Sequence, residues 1–153
     1  AAALGVQSAI EAAVLVAAMI AIGNIGLVVI ALPIVLMLTG LFGLGLGFFV
    51  AVANTHYRDV QYLVGIVLNA VFFLVPIVYP LTLIPERHWG LPVLKIVEYN
   101  PIHQFVAAGR DVTYLVEWPS LSRWVAIFGY SMASFFLGWR FFARRSMDLS
   151  EEM

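Results

Sequence analysis

Long apolar stretches separated by short polar ones dominate this sequence. No residue between Glu11 and Arg58 carries a formal charge, and the next charged residue after Asp59 is Glu86. A membrane-spanning helix requires about 20 mostly apolar residues, and residues 23–26 contain the helix breakers that divide the first long stretch in two. The pattern predicts spanning helices over residues 4–22, 27–52, 60–81 and 124–142.

The segment before the last predicted helix, residues 82–122, is neither continuously apolar nor plainly soluble. Asn100 followed by Pro101 predicts an N-cap and the first residue of a helix. Apolar residues then recur at helical spacing, so we expect two short helices on one side of the membrane. Two arrangements are open, because such helices can re-enter the membrane and be buried in protein or line a water-filled cavity, or can lie flat on the headgroups.

The composition places the chain among integral membrane proteins with an all-α fold. Hydrophobic residues make up 63% of the chain and charged residues 11%, with a mean hydropathy of +0.98, whereas soluble domains have roughly 45–50% and 25%. The absence of cysteine excludes disulfides and thiolate chemistry. A net charge of −1 gives no reason to expect a nucleic acid partner, and His56, His88 and His103 lack metal-ligand spacing, so no metal site is expected.

Two polar features interrupt the apolar stretches. Tyr57, Arg58 and Asp59 separate the second and third predicted helices, where they could anchor in the headgroup layer, with Asp59 at the positive end of a helix dipole. Glu11 lies inside the first predicted helix. An acid at the bilayer centre costs roughly 3 kcal/mol, so we expect Glu11 to face protein or water, unless it lies close enough to the inner face to snorkel.

The glycines of the second predicted helix do not form a nucleotide site. Gly43 and Gly47 lie four residues apart, which predicts close helix packing. The sequence GLGLG lacks the spacing of a dinucleotide fingerprint, and no strand precedes it. No GxxxxGK motif followed by Ser or Thr is present, and Lys95 is the only lysine. We therefore expect no ATP bound through a P-loop, and a partner that supplies the energy.

The polar loops and the helices beside them resemble a known family. The series GLGLGFFVAVANTHYRDVQYLVGIVLNAVFFLVPIVYPLTLIPERHW, followed by YNPIHQFVAAGRD, resembles the C-terminal half of the type 2 ATP-binding cassette exporter permeases. It is most similar to the branch that moves lipid-linked polysaccharides such as O-antigen and teichoic acid. The resemblance extends over residues 8–145 and includes Tyr-Arg-Asp-Val, Pro-x-x-Tyr-Pro and Asn-Pro in the family's order.

The resemblance implies a topology. Such a permease has six spans with both termini in the cytoplasm, so this chain, which does not begin with Met, would be a fragment holding spans three to six. The first two spans and the main ATPase-coupling helix would precede it. Residues 54–59 would form a cytoplasmic loop near the ATPase, with Tyr57, Arg58 and Asp59 as coupling residues. Residues 82–122 would be an external re-entrant region, and Arg144 and Arg145 would lie inside, as the charge distribution weakly favours.

The resemblance also implies a function. The chain would belong to a homodimeric permease in the bacterial inner membrane, in contact with membrane lipids and with two copies of a separate ATPase that bind ATP and magnesium. It would need no cofactor of its own, and its substrate would be a lipid-linked glycan. An exporter of drugs or small lipids with the same fold is one alternative. A membrane-embedded transferase is less favoured because Asp59, Glu86, Glu98 and Asp111 are scattered rather than paired.

Two groups of residues are expected to meet such a glycan. Aromatic rings offer flat apolar faces over which sugar rings can slide, and polar residues of the external segment could contact phosphates or hydroxyls at the exit. The expected path residues are Phe48, Phe49, Phe72, Phe73 and Tyr79, and the expected external residues are Glu86, Arg87, Asn100, Pro101, Arg110 and Asp111.

Overall fold

The computed structural model describes residues 2–22, 26–57, 59–75 and 93–149. All the regular elements in these ranges are helical, which confirms the all-α prediction for them. The α-helices are α1 (Ala2–Ile22), α2 (Ala31–His56), α3 (Val60–Leu74), α4 (Val93–Glu98), α5 (Pro101–Arg110) and α6 (Leu121–Leu149), with a 3-10 turn at Leu27–Ile30 and a π-helical turn at Asp111–Leu115.

Two helical stretches are long and apolar enough to cross a membrane. They are Leu27–Thr55, with a mean hydropathy of 2.7, and Leu121–Arg145, with 1.3. Only 22% of the apolar window of each is buried inside the chain, so most of this apolar surface faces outward, as it would toward lipid or neighbouring protein. The first stretch contains the predicted span 27–52, and the second contains the predicted span 124–142.

The other two predicted spans correspond to shorter apolar helices. Within α1 the apolar stretch is Ile10–Ala21, and within α3 it is Val60–Phe72. Helix α3 ends at Leu74, and the rest of the predicted span 60–81 lies outside the described residues. The helices are therefore present where the hydropathy pattern predicts them, whereas the number that cross the membrane stays a prediction.

Helices α2 and α6 pack side by side and run in the same direction. The Ser131 hydroxyl donates to the Leu38 carbonyl at 2.8 Å, and the Ser134 hydroxyl donates to the Phe42 carbonyl at 2.9 Å. These pairs are 93 and 92 residues apart in sequence. Because this difference stays constant along the contact, the two helices are parallel.

Small residues allow the two backbones to approach closely. A Cβ atom on Gly45 would overlap the backbone carbonyl group of Ser134, and a Cβ atom on Gly138 would overlap the carbonyl oxygen of Gly45. A Cβ on Gly43 or Gly47, the pair expected to pack closely, would meet nothing within 4 Å among the described residues, so the packing role of that pair stays a prediction. A helix turns by about 200° over two residues, so Gly45 faces α6 while its neighbours point away.

The buried core lies at the N-terminal ends of α2 and α6. There α5 and the π-helical turn pack into the angle between the two long helices, and Val16 of α1 lies against the same cluster. The tightly buried members are Val28, Ala31, Leu32, Val35, Leu38, Phe105, Ala108, Val112 and Ile127. Short helices that precede α6 are therefore integrated into the bundle.

Candidate functional site

Helix α5 begins as the sequence predicts. Asn100 has an extended backbone (φ −62°, ψ 124°), and its side-chain oxygen accepts a hydrogen bond from the Ile102 amide at 3.0 Å. Pro101 is the first helical residue, where its missing N–H costs nothing. The side-chain Nε2 of Gln104 donates to the backbone carbonyl oxygen of Glu98 at 2.6 Å, which joins α5 to the end of α4.

Helix α5 runs alongside α2 and reaches far along it. The rings of Phe105 and Phe42 lie 5.0 Å apart between centroids, and Phe42 lies 15 residues after Leu27, or about 22 Å along the helix. At the other end, a Cβ on Gly26 would lie 2.6 Å from Val116 Cγ1. The segment from α5 to Val116 is therefore antiparallel to α2 and covers its N-terminal half. We call residues 101–116 the re-entrant segment after the predicted arrangement, and whether it re-enters the membrane stays a prediction.

A partly buried ion pair joins this segment to α6. Arg123 Nη1 donates to Asp111 Oδ2, and the two side chains are 29% and 11% exposed. Arg110, by contrast, is exposed, so Arg110 and Asp111 do not form the solvated pair that their adjacency in the sequence suggests. Arg123 was not among the expected site residues. Arg123 lies in the first turn of α6, twelve residues after Asp111. This spacing does not indicate from the sequence that the two side chains meet.

The end of the re-entrant segment contains a strained residue. Val116 has φ 54° and ψ 38°, a left-handed conformation that is rare for a β-branched side chain. The π-helical turn before it is closed by a 2.9 Å hydrogen bond from the Glu117 amide to the Asp111 carbonyl. Such strain persists where the surrounding contacts enforce it, here the close approach of Val116 to Gly26.

A polar cavity lies between α5 and the start of α6. Its volume is about 280 Å³, and it is lined by Glu98, Tyr99, His103, Gln104, Ser122 and Arg123 among others. His103 is only 5% exposed. Burial lowers the pKa of His103 from its ordinary value of 6.5, the charges of Arg110 and Arg123 lower it further, and Glu98 opposes them. Among the described residues, His103 Nδ1 and Arg123 Nε have no hydrogen-bond partner.

The structure describes the side chains of three of the five expected path aromatics. Phe48 lies 5.4 Å from Phe142 and Phe49 lies 5.3 Å from Phe141 between ring centroids, so both fill the interface of α2 with α6. Phe72 is 49% exposed on α3. The side chain of Phe73 and all of Tyr79 lie outside what the structure describes. The role of these rings in a path stays a prediction.

The turn between α2 and α3 lies at the far end of α2 from the re-entrant segment. Tyr57 is 72% exposed, and the Asp59 carbonyl accepts hydrogen bonds from the amides of Tyr62 and Leu63 in the first turn of α3. Asp59 is exposed as well, while Arg58 lies outside the described residues. The turn therefore presents polar side chains at one end of the two long helices.

The remaining expected residues fall into two groups. Glu11 of α1 lines a cavity of about 310 Å³ together with Gly109 and Thr113 of the re-entrant segment. Glu11 is itself exposed in this structure, so whether it faces protein, water or the headgroups stays a prediction. Glu86 and Arg87 lie outside the described residues.

Comparison with known proteins identifies one matching family. Residues 3–114, more than half of the chain, match the family described as ABC-2 type transporter. The O-antigen export system permease protein RfbA of Myxococcus xanthus is 24% identical over 125 residues, which cover 82% of this chain and 47% of that protein. The chain thus spans about half the length of this curated relative. No solved structure matches the chain significantly.

Proposed function

Since this chain belongs to the ABC-2 type transporter family, we propose that it forms part of the permease of an exporter that moves a lipid-linked polysaccharide across the bacterial inner membrane. The family is one of membrane-integral transport subunits rather than enzymes. The family match over residues 3–114 carries the proposal. The polysaccharide substrate is supported by the name of the relative, an O-antigen export permease.

The parallel packing of α2 and α6 supports the proposed topology. Two parallel spanning helices both begin on the same side of the membrane, so the chain between them must cross the membrane an odd number of times. Helix α3 follows α2 after a short turn and is apolar over Val60–Phe72. We therefore assign α3 as the single return crossing, with the re-entrant segment held on the side where α2 and α6 begin. With α1, this arrangement gives spans three to six of a six-span permease.

The charges at the opposite end weakly support the orientation that the family resemblance implies. Because Phe49 contacts Phe141, the C-terminal part of α6 and the turn at 57–59 lie at the same end of the bundle. Arg144 and Arg145 in α6 are exposed near that end. Basic residues that flank spans favour the cytoplasm. Lys95, Arg110 and Arg123 lie toward the other end of the bundle, where Glu98, Asp111 and Glu117 offset them. The charges therefore weakly support a cytoplasmic turn and an external re-entrant segment.

The proposed mechanism uses a motor outside this chain. Two permease copies associate with two copies of an ATPase, which bind ATP and magnesium. The ATPase contacts the exposed turn at Tyr57 and Asp59, together with Arg58. Helix α2 connects this turn to the re-entrant segment, since it also carries Phe42, the ring partner of Phe105. A displacement of α2 is thereby transmitted to the outer end.

A transferase is less consistent with the observed positions. Asp59 and Asp111 lie near opposite ends of α2, whereas acid–base chemistry requires carboxylates that converge on the reacting group. We therefore propose no catalytic role for these two carboxylates.

The test is deletion of the full-length gene followed by complementation. We expect undecorated cell surfaces and lipid-linked polysaccharide retained on the inner face of the membrane, with export restored by the wild-type gene. Purification of the full-length permease from native membranes should also recover an ATPase subunit. Unchanged surface polysaccharide with altered drug or lipid resistance would contradict the proposal and favour the alternative substrate class.

A further inference from the structure

Helix α3 carries polar residues along one face although it is otherwise apolar. Gln61, Gly65 and Asn69 recur every four residues, so they lie within a sector of about 80° around the helix. All three are exposed, and we call this sector the carboxamide face. Leu63 and Val67, each 58% exposed, point in roughly the opposite direction. Helix α3 therefore presents a polar face and an aliphatic face to its surroundings.

The carboxamide face requires a polar partner inside a membrane. Hydrocarbon offers no hydrogen bond, so Asn and Gln side chains of spanning helices pair across helix interfaces. The Asn69 Nδ2 atom donates to the Gly65 carbonyl oxygen at 3.0 Å, which leaves the Asn69 Oδ1 atom as an acceptor. A Cβ on Gly65 would meet nothing within 4 Å among the described residues. Another helix can therefore approach this face closely.

Helix α2 contacts a different side of α3. The half-buried residues of α3 are Val60, Val64 and Val71, which share one side of the helix, and α3 packs against α2. This side lies about 120° around the helix from Gly65, the centre of the carboxamide face. The contact with α2 therefore leaves the carboxamide face available.

A groove and a protruding ring flank the carboxamide face. The groove, of about 380 Å³, runs between α2 and α3 and is lined by Gly47, Val50, Ala51, Asn54, Gln61 and Val64. Tyr62 projects from the other side of the face, about 60° from its centre, and is 76% exposed. The groove and the ring lie at the same level along α3, because Tyr62 directly follows Gln61.

The carboxamide face is complementary to a second copy of itself. Two copies inserted in the same orientation are related by a two-fold axis along the membrane normal, so equal residues lie at equal depth. A rotation of 180° about an axis beside Gly65 brings the Tyr62 ring of each copy to the groove of the other. There the hydroxyl can pair with the amides of Asn54 and Gln61, and a buried Tyr hydroxyl usually has such a partner.

We propose that a second copy of this chain docks on the carboxamide face, with Gly65 beside the two-fold axis and each Tyr62 ring in the α2–α3 groove of the other copy. The inference rests on the proposed function for the presence of a second copy, and it specifies the surface through which the two copies meet. Another span of the same chain would have no reason to match a groove and a ring that are related by a two-fold axis.

The first test is disulfide crosslinking of the full-length permease with its ATPase in native membranes, after any other cysteine is replaced by serine. Gln61→Cys, Gly65→Cys and Asn69→Cys are compared with Leu63→Cys and Val67→Cys on the aliphatic face. Copper phenanthroline oxidises the cysteines, and non-reducing electrophoresis separates covalent dimers. We expect about tenfold more dimer from Gly65→Cys than from Leu63→Cys, because a disulfide requires Cα atoms within about 7 Å.

The second test addresses the ring and the groove. Tyr62→Ala should weaken the association of fluorescently labelled permease copies in liposomes about tenfold. Tyr114→Ala removes a similarly exposed tyrosine, 75% exposed, near the other end of α2 and should leave the association unchanged. Energy transfer between the labels is measured as the lipid-to-protein ratio rises, and thermal unfolding verifies that each variant is folded.

Several outcomes overturn the inference. Dimers formed chiefly through Leu63→Cys or Val67→Cys would place the contact on the aliphatic face. No dimer from any of the five positions would assign the carboxamide face to another span of the same chain. Reaction of its cysteines with a water-soluble maleimide, instead of with each other, would assign it to an aqueous pathway. Equal association of Tyr62→Ala and Tyr114→Ala would remove the ring from the contact.

These outcomes are distinguishable from a failure of the proposed function. If deletion of the gene still abolishes surface polysaccharide, each of them changes only the contact surface, and the proposed function stands. Intact polysaccharide export after deletion would remove the proposed function even if Gly65→Cys forms covalent dimers.

Discussion

The hydroxyl of Ser131 on α6 is fully buried and lies 2.8 Å from the carbonyl oxygen of Leu38 on α2. It also lies 2.7 Å from the Ile127 carbonyl within its own helix. Because this side chain is small, it ties the two long helices together without separating them. The position of the re-entrant segment depends on this parallel pair, since α5 packs into the angle that the pair forms.

The close approach of α2 and α6 predicts which glycine tolerates a side chain. Gly45→Leu would place atoms where the Ser134 backbone lies, so we expect a loss of about 1–3 kcal/mol in stability and a lower thermal midpoint. Gly43→Leu is the matched control, because its Cβ meets nothing within 4 Å among the described residues. Equal thermal midpoints for the two variants in nanodiscs would refute the packing described here.

The ion pair of Asp111 with Arg123 predicts a coupled loss of stability. Asp111→Ala leaves a partly buried guanidinium without its partner and should cost about 1–3 kcal/mol. Glu117→Ala removes an exposed acid close by and should cost under about 0.5 kcal/mol. In a double-mutant cycle, Asp111→Ala and Arg123→Ala together should cost less than their sum. Strict additivity would mean that the pair contributes nothing.

The buried imidazole of His103 predicts a dependence of stability on pH. Its pKa is lowered in the fold from the ordinary 6.5, so below about pH 6.5 the unfolded chain binds a proton that the folded chain resists. The stability that depends on neutral His103 is complete above pH 6.5 and is lost as the pH falls through the lowered pKa. Thermal midpoints from pH 7.5 to 5 should fall more for the wild type than for His103→Gln. Parallel curves would show that another group titrates.

The turn after α2 predicts a defect in coupling without a defect in folding. Replacing Arg58 and Asp59 with alanine should lower the ATPase activity of the assembled exporter and polysaccharide export together, because the turn would lose its polar contacts with the ATPase. Membrane insertion and the thermal midpoint should not change. Glu117→Ala serves as the control at the opposite end. If the double variant exports polysaccharide at the wild-type level, the turn has no role in coupling and only anchors the chain in the headgroup layer.

The helices and the cap of α5 could be predicted from the sequence because their signals are local. The apolar stretches locate α2 and α6, and Asn100 with Pro101 marks the start of α5. The contacts that build the candidate site are not local. The pairing of Asp111 with Arg123 and the choice of Gly45 over Gly43 depend on how α5 and α6 pack, and no spacing in the sequence records that packing.

The cavity around His103 was missed for a related reason. A single histidine without metal-ligand spacing is uninformative as a sequence motif. Its significance comes from its burial beside Arg123 and Gln104, two side chains that the fold brings together from different helices. For the expected aromatic path, the sequence indicates suitable residue types that the fold uses for another contact. Phe48 and Phe49 have the right chemistry for sugar contact, yet their rings are engaged by α6.

The most direct test labels single cysteines in spheroplasts of the source cell. The 153 residues contain no cysteine, so Glu117→Cys and Asp59→Cys can be compared after any cysteine elsewhere in the full-length permease is replaced by serine. A membrane-impermeant maleimide should label position 117 in intact spheroplasts and position 59 only after the membrane is opened. Labelling of position 59 in intact spheroplasts, with position 117 protected, would place the re-entrant segment on the ATPase side and contradict the account.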